Sequence, residues 1–205
     1  MGNAHLQFDP RGKSMSRMLL HVPRMYTEME FRKLTLTLPD DFQQKASEFW
    51  SYVKEKLLIF DGKIQRIYRD KIDKSEAEAL DCLSVLDREN HAIVKELVEK
   101  GASFEATEDS MLIAESESWL EMLDSQAANS IVLENYEETI RERDKYISSR
   151  INETLKDNEV GVLFMEPDRE ITVDADIKVI RVCRFDPSDY LRSWQAQLKT
   201  KSGKL

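Results

Sequence analysis

Val160-Gly161-Val162-Leu163-Phe164-Met165 (VGVLFM) is the stretch that decides the fold. A continuous apolar run of this length, without alternation, suits a strand covered on both faces. Strands of that kind belong to parallel sheets, whose crossovers lay helices over both sides. Immediately upstream lies a long helical pattern, Leu133 to Leu155. At about 100° per residue, Leu133, Tyr136, Ile140, Ile147, Ile151 and Leu155 share one stripe. Asp144 falls where the stripe skips a step, so it projects near the middle of the apolar face, with Arg143 at its edge. A buried carboxylate is costly unless it is paired, hydrogen-bonded or functional, and Asp144 therefore marks a candidate site.

The same alternation extends through the rest of the chain. Met18–Val22 reads as a strand stopped by Pro23, and Pro39-Asp40-Asp41 opens a helix with Phe42, Ala46, Phe49, Trp50, Val53 and Leu57 on one face. Lys63–Asp70 reads as a second strand, followed by helices over Glu76–Leu86 and from Arg88, the latter closed by Gly101. Ala102–Thr107 is a short third strand, and Glu108-Asp109-Ser110 starts a further helix that breaks over Gln126–Ser130. Ile177–Cys183 is a last strand, and Asp186-Pro187-Ser188 begins a final helix. The expected fold is a layered α/β sandwich with a mixed, mainly parallel sheet of about five strands. Residues 1–16 read as a flexible extension, 17–200 as one domain and 201–205 as a frayed tail.

Composition narrows the function. The 205 residues include 41% hydrophobic and 34% charged side chains but only six glycines and five prolines, and the net charge is −9. Ala102–Glu159 alone carries 15 acidic and 5 basic residues. That balance argues against a nucleic-acid partner or an acidic membrane surface. No apolar stretch approaches the ~20 residues of a membrane-crossing helix, and no secretory leader is evident. The two cysteines, Cys82 and Cys183, lie far apart and read as reduced core residues of a cytoplasmic protein. Three histidines in no ligand spacing give little support to zinc, and there is no phosphate-cradling glycine loop.

In a parallel sheet ligands bind at the carboxyl ends of the strands. Here those ends lead into Arg24, Tyr26, Thr27 and Glu28; Arg69 and Asp70; Glu105, Thr107, Glu108 and Asp109; and Glu166, Pro167, Asp168 and Arg169. With Arg143 and Asp144, the pocket candidates are Tyr26, Glu28, Glu105, Glu108, Arg143, Asp144, Asp168 and Arg169. Two readings stay open. Arg143 and Arg169 grip a small anionic ligand bidentately in a protein without a cofactor, or Glu105, Glu108, Asp144 and Asp168 hold a divalent metal ion. A homodimer through Trp119, Trp194 or the long helix is a third.

Val22–Glu28 (VPRMYTE), Lys100–Asp109 (KGASFEATED) and Arg143–Ile147 (RDKYI) with Val160–Met165 together carry a family resemblance. They are similar to a group of uncharacterised prokaryotic proteins and, more distantly, resemble the TraB/Tiki-like superfamily (erythromycin-esterase and ChaN-like). The resemblance implies a histidine after the first strand, acids after a later one, an Arg-Asp pair on a helix, a second histidine after the next strand, and in some members metal-dependent hydrolysis. Glu105 or Glu108 matches the acidic position, and Arg143 with Asp144 the helix pair. Tyr26 stands at the first histidine position. Glu166-Pro167-Asp168-Arg169 occupies the second, without its glycine or histidine. Neither tyrosine, with a pKa of about 10, nor arginine does a histidine's work near neutrality. The resemblance thus implies a degenerate site in a non-catalytic binding or interaction protein, with a metal-dependent hydrolase as the alternative.

Overall fold

The computed structural model describes residues 17–124 and 129–202. The expected N-terminal extension, most of the Gln126–Ser130 break and the end of the C-terminal tail lie outside the described residues. In chain order the elements are β1 (Arg17–Pro23), α1 (Glu28–Thr35), α2 (Phe42–Leu58), β2 (Ile64–Arg69), α3 (Glu76–Leu86), α4 (Arg88–Glu99), β3 (Ser103–Phe104), α5 (Ser110–Asp124), α6 (Ser130–Thr154), β4 (Val160–Met165), β5 (Ile177–Arg181) and α7 (Pro187–Ser202). The strands form one sheet in the order β3-β2-β4-β1-β5. Every pairing is parallel, so the expected mixed sheet is instead uniform.

Alternation along the strands divides the core in two. Leu20, Val22, Ile67, Val162 and Phe164 point toward α1, α2, α4 and α7, where Phe31, Phe49, Val53 and Val94 complete the larger cluster. Leu19, Tyr68, Leu163, Met165 and Ile177 point the other way and meet Ile147, Ile151 and Leu155 of α6. Each fully buried side chain of this size contributes ~1.5–3 kcal/mol. Gly161 lets α6 approach β4. A Cβ there would stand 3.1 Å from Tyr68, 3.2 Å from Leu155 and 3.3 Å from Leu19. VGVLFM is thus the central strand, buried on both faces.

Two expectations change on the helices. The C-terminal half of α6 lies on the sheet, as the stripe requires, but its N-terminal half packs along α5. There Val132, Thr139 and Arg143 are the buried residues, while Leu133 is exposed and Tyr136, Ile140 and Asp144 are half-buried. The buried set is shifted back by one residue, about 100° around the axis, because the surface covering the helix changes from sheet to helix. Cys82, expected in the core, is exposed. Only Ala79 and Leu83 of α3 are buried, whereas Cys183 packs against the larger cluster.

The topology determines where a crevice can form. Right-handed crossovers that step toward opposite edges of a sheet cover opposite faces. The β1–β2 and β2–β3 connections step one way, under α1 to α4. The β3–β4 and β4–β5 connections step back across the α6 face. At its carboxyl end β4 therefore leaves toward α6, while its neighbours β1 and β2 leave toward the opposite helices. Parallel sheets bind ligands at such divergences.

Candidate functional site

The three central strand exits are tied together by Asp70. This fully buried carboxylate accepts from Arg24 Nε (3.1 Å), from the Glu166 backbone N–H (2.9 Å) and, in a very short contact, from Arg69 Nη1. Arg24 stands at the centre of a first ion cluster. Its two Nη atoms donate to Glu30 at 2.8 Å each, and Nη2 also donates to Glu166 at 2.9 Å. Glu30 is held in place locally as well. It is the third residue of α1, and its carboxylate closes a capping box with Thr27. Arg69, also buried, donates to Asn90 Oδ1 (3.1 Å) and to the Asp70 carbonyl (2.6 Å), and lies 3.7 Å from Asp87, the N-cap of α4.

Lys71 joins this cluster to a second. It adopts a left-handed backbone conformation (φ 63°), unusual for a residue with a side chain. From there Nζ contacts Glu30 (3.1 Å) and Glu166 (2.8 Å), while its backbone N–H donates to Glu108 Oε1 at 2.8 Å. Glu108 is the centre of the second cluster. Arg143 donates to it through Nε (2.5 Å) and Nη2 (2.8 Å), and Arg169 through Nη1 (3.1 Å). Of the remaining nitrogens, Arg169 Nη2 lies 2.6 Å from Asp144 Oδ1 without forming a hydrogen bond among the described residues. Arg143 Nη1 donates to Ser116 Oγ (2.9 Å), and Arg169 Nε donates to Asp144 Oδ1 at 2.7 Å.

Burial pushes the carboxyls of Glu30, Glu166 and Glu108 upward, but their cationic neighbours outweigh it. Arg24 and Lys71 hold Glu30 and Glu166 far below the usual range, and Arg143 with Arg169 depresses Glu108. Asp144 differs, because its burial outweighs the single Arg169 and raises it. Burial, with Arg24 nearby, lowers Arg69. Burial raises the hydroxyls of Tyr26 and Tyr136, and the charge of Glu166 adds to both.

Above these clusters opens a cleft of about 860 Å³ between α6, the exit of β1 and the segment joining β4 to β5. Tyr26, Tyr136, Asp144, Glu166, Asp168 and Arg169 contribute to its lining. The joining segment lies along α6, its Thr172 N–H donating to Ser148 Oγ (3.0 Å) and its Asp174 N–H to Asn152 Oδ1 (3.0 Å).

Of the eight residues expected at the pocket, Tyr26, Asp144, Asp168 and Arg169 line this cleft. Glu108 and Arg143 are buried beneath it. Asp144 was expected to point inward with Arg143 at the edge, and the two are exchanged by the rotation of α6. Glu105 turns away to Arg66 (2.6 Å) and Arg150 (3.9 Å), and Glu28 sits on the surface against Arg32 (2.9 Å). The two guanidiniums of the expected anion grip, Arg143 and Arg169, are each paired with carboxylates of the chain. The carboxylates of the metal reading also each answer to an arginine, with Asp168 on Arg192 at 3.3 Å. Among the described residues no three His, Cys, Asp or Glu side chains are grouped as a metal ion would need. Trp119 and Trp194, the indoles of the dimer reading, donate within the chain to Glu115 and to the Thr37 carbonyl. The clusters add Arg24, Glu30, Asp70, Lys71, Asp87 and Glu166. Arg24, Arg69, Asp70 and Glu166 were visible as polar residues directly after apolar strands. Their convergence required the strand order.

Among the described residues no helix is long and apolar enough to cross a membrane. No family model, curated protein or solved structure matches the chain, so the TraB/Tiki-like resemblance rests on its motifs alone.

Proposed function

We propose that this is a cytoplasmic binding protein that receives a small polar ligand in the cleft at the carboxyl ends of β1 and β4, as a non-catalytic relative of the TraB/Tiki-like proteins. The observation that carries the reading is the divergence of β4 from both neighbours, with the 860 Å³ cleft opening there. The chemistry beneath it supports binding over turnover. General acid–base work wants a group whose pKa lies near the working pH. Glu108, Glu166 and Glu30 are instead driven down by arginine and lysine, and among the described residues no histidine lines the cleft. Such clusters hold a site rigid and preorganised.

A thermal-shift screen of small polar compounds tests this reading, with Ile140→Trp as the variant that fills the cleft from α6. A ligand at about 100 times its Kd stabilises the wild-type chain by ~2.7 kcal/mol. The same ligand leaves Ile140→Trp unshifted and is recovered unchanged by NMR. Stoichiometric divalent metal that is lost in Asp144→Asn, together with hydrolysis of a bound compound, would instead establish the metal-dependent hydrolase.

A further inference from the structure

Away from the cleft, one helix stays outside both cores. α5 carries Leu112, Ile113, Trp119, Leu120 and Leu123, and none of them belongs to either apolar cluster. At about 100° per residue all five fall within about 60° of Ser116, so α5 has an apolar face of its own. Ser116, on the centre line of that face, accepts from Arg143 of α6, the helix along which α5 packs. A single neighbouring helix covers the face incompletely. Among the described residues of α5 only Ser116 is buried, and Leu120 is 42% exposed. At the start of α6, Ile131 and Leu133 on either side of buried Val132 are 66% and 46% exposed. Apolar surface gathered in one place marks an interaction site far more often than scattered single residues do.

Charge says what covers this face. From Ser110 to Ile140 the chain holds seven acidic residues and no lysine or arginine. On α5, Glu115 stands about 100° to one side of Ser116, and Glu117 and Glu121 about 100° and 140° to the other, so carboxylates border the apolar face on both sides. Glu115 accepts from Trp119 Nε1 at 3.2 Å. Glu117 and Glu121, beside Leu120, and Glu134 on α6 are exposed, and among the described residues they make no ion pair or side-chain hydrogen bond. The first cation along α6, Arg141, is turned to Glu137 and Glu138. A second copy of the chain would bring one acidic border against another, and an anionic bilayer would be repelled in the same way. A basic helix meets opposite charge at the border while its apolar side completes the cover.

We propose that the Leu120 edge of α5 docks a basic amphipathic helix of a partner protein. Its apolar side packs on Leu120 and the adjoining face of α5, and its lysines or arginines meet Glu117 and Glu121. The 15 residues of α5 span ~22 Å, which sets the length of the matching helix at about 15 residues.

Fluorescence anisotropy of labelled peptides titrated with the full chain tests the proposal. The probe is a peptide of about 15 leucines and lysines arranged at helical spacing. Its controls are a scrambled peptide of the same composition, which has no apolar face, and the same pattern with glutamate in place of lysine. The patterned basic peptide is expected to bind at least about 10-fold more tightly than the scrambled one, with the acidic one undetected. Leu120→Gln weakens it by about 10-fold or more, and so does Glu117→Lys/Glu121→Lys. The charge variant keeps the wild-type melting temperature, because both side chains are exposed and unpaired, so it decides the matter even where Leu120→Gln impairs folding. Equal binding of the scrambled peptide reduces the attraction to net charge and overturns the docking surface. Binding that ignores the charge variant places the peptide elsewhere and overturns it as well, as does absence of binding. A homodimer in analytical ultracentrifugation that Leu120→Gln converts to monomer assigns the face to a second copy and overturns the basic partner.

Discussion

Two ion clusters lie beneath one cleft and are built in opposite senses. At Arg24 a cation is surrounded by anions, the carboxylates of Glu30, Asp70 and Glu166. At Glu108 an anion is surrounded by cations, the guanidiniums of Arg143 and Arg169. The difference lies in what each centre leaves behind when it is removed. Without Arg24, three acids face one another at the strand exits, one of them fully buried, and Lys71 alone serves both Glu30 and Glu166 while Asp70 keeps Arg69. Without Glu108, Arg143 keeps Ser116 and Arg169 keeps Asp144. An interior charge is stabilised by its partners and destabilises when orphaned, so the Arg24 cluster is the more fragile.

The largest expected effect follows directly. Arg24→Leu costs about 5 kcal/mol of unfolding free energy, read as the urea midpoint at constant m-value. Glu108→Gln keeps a hydrogen-bonding side chain beside its arginines and costs about 3 kcal/mol in the same titration. If Glu108→Gln proved the costlier, the comparison would be inverted, and Glu108 would be the keystone of the site.

Acid titration sharpens the contrast further. Glu30, Glu166 and Glu108 have folded-state values below those of the unfolded chain. The stability they confer is complete above the ordinary carboxylate range and is lost as pH falls, for Glu166 between 4.5 and about 2. His21 acts in a higher window. It is buried in β1 with Nε2 lacking a hydrogen-bond partner among the described residues, and burial with Arg181 nearby lowers it from 6.5 to about 4. Its neutral form is the one the fold accepts, so stability also falls as pH drops through that range. His21→Phe removes the upper part of the acid transition, leaves the carboxylate part, and raises stability at neutral pH by about 1 kcal/mol. A melting-temperature profile from pH 7 to about pH 3 separates the two parts.

The smallest effect is expected at Asp144. Its carboxyl is raised, so ionisation is disfavoured in the folded state and its contribution runs opposite to that of Glu108. Asp144→Asn is neutral or stabilising at pH 7, within about 1 kcal/mol. A loss as large as that of Glu108→Gln would mean that Asp144 anchors Arg169 as firmly as Glu108 does.

Local pattern made most of the elements legible in the sequence. α3 spans Glu76–Leu86 as read, and β4 is the buried central strand that its uninterrupted apolar run requires. β3 shrank to Ser103–Phe104, because beyond Phe104 the backbone N–H groups of Thr107 and Glu108 bond to the Ile72 carbonyl rather than to a strand. The site was legible only in part. Strand exits can be read along the chain, but their neighbours cannot. That Asp70 meets Arg24 across 46 residues follows from β4 lying between β1 and β2. Periodicity placed the α6 stripe correctly wherever the sheet covers it. It erred by one residue at Arg143 and Asp144, where α5 takes over as the covering surface and a helical wheel carries no sign of the exchange.

The strand order also dictates when this molecule can fold. β1 and β2 never touch each other through backbone bonds, since both pair with β4. During synthesis, then, the first strands wait with facing edges unsatisfied until residues 160–165 leave the ribosome and fill the gap. Until that moment the nascent chain exposes two apolar strand edges of the kind that recruit other chains. Closure is a late, long-range event of high contact order, and the cleft, whose walls are defined by β4, has no existence before it.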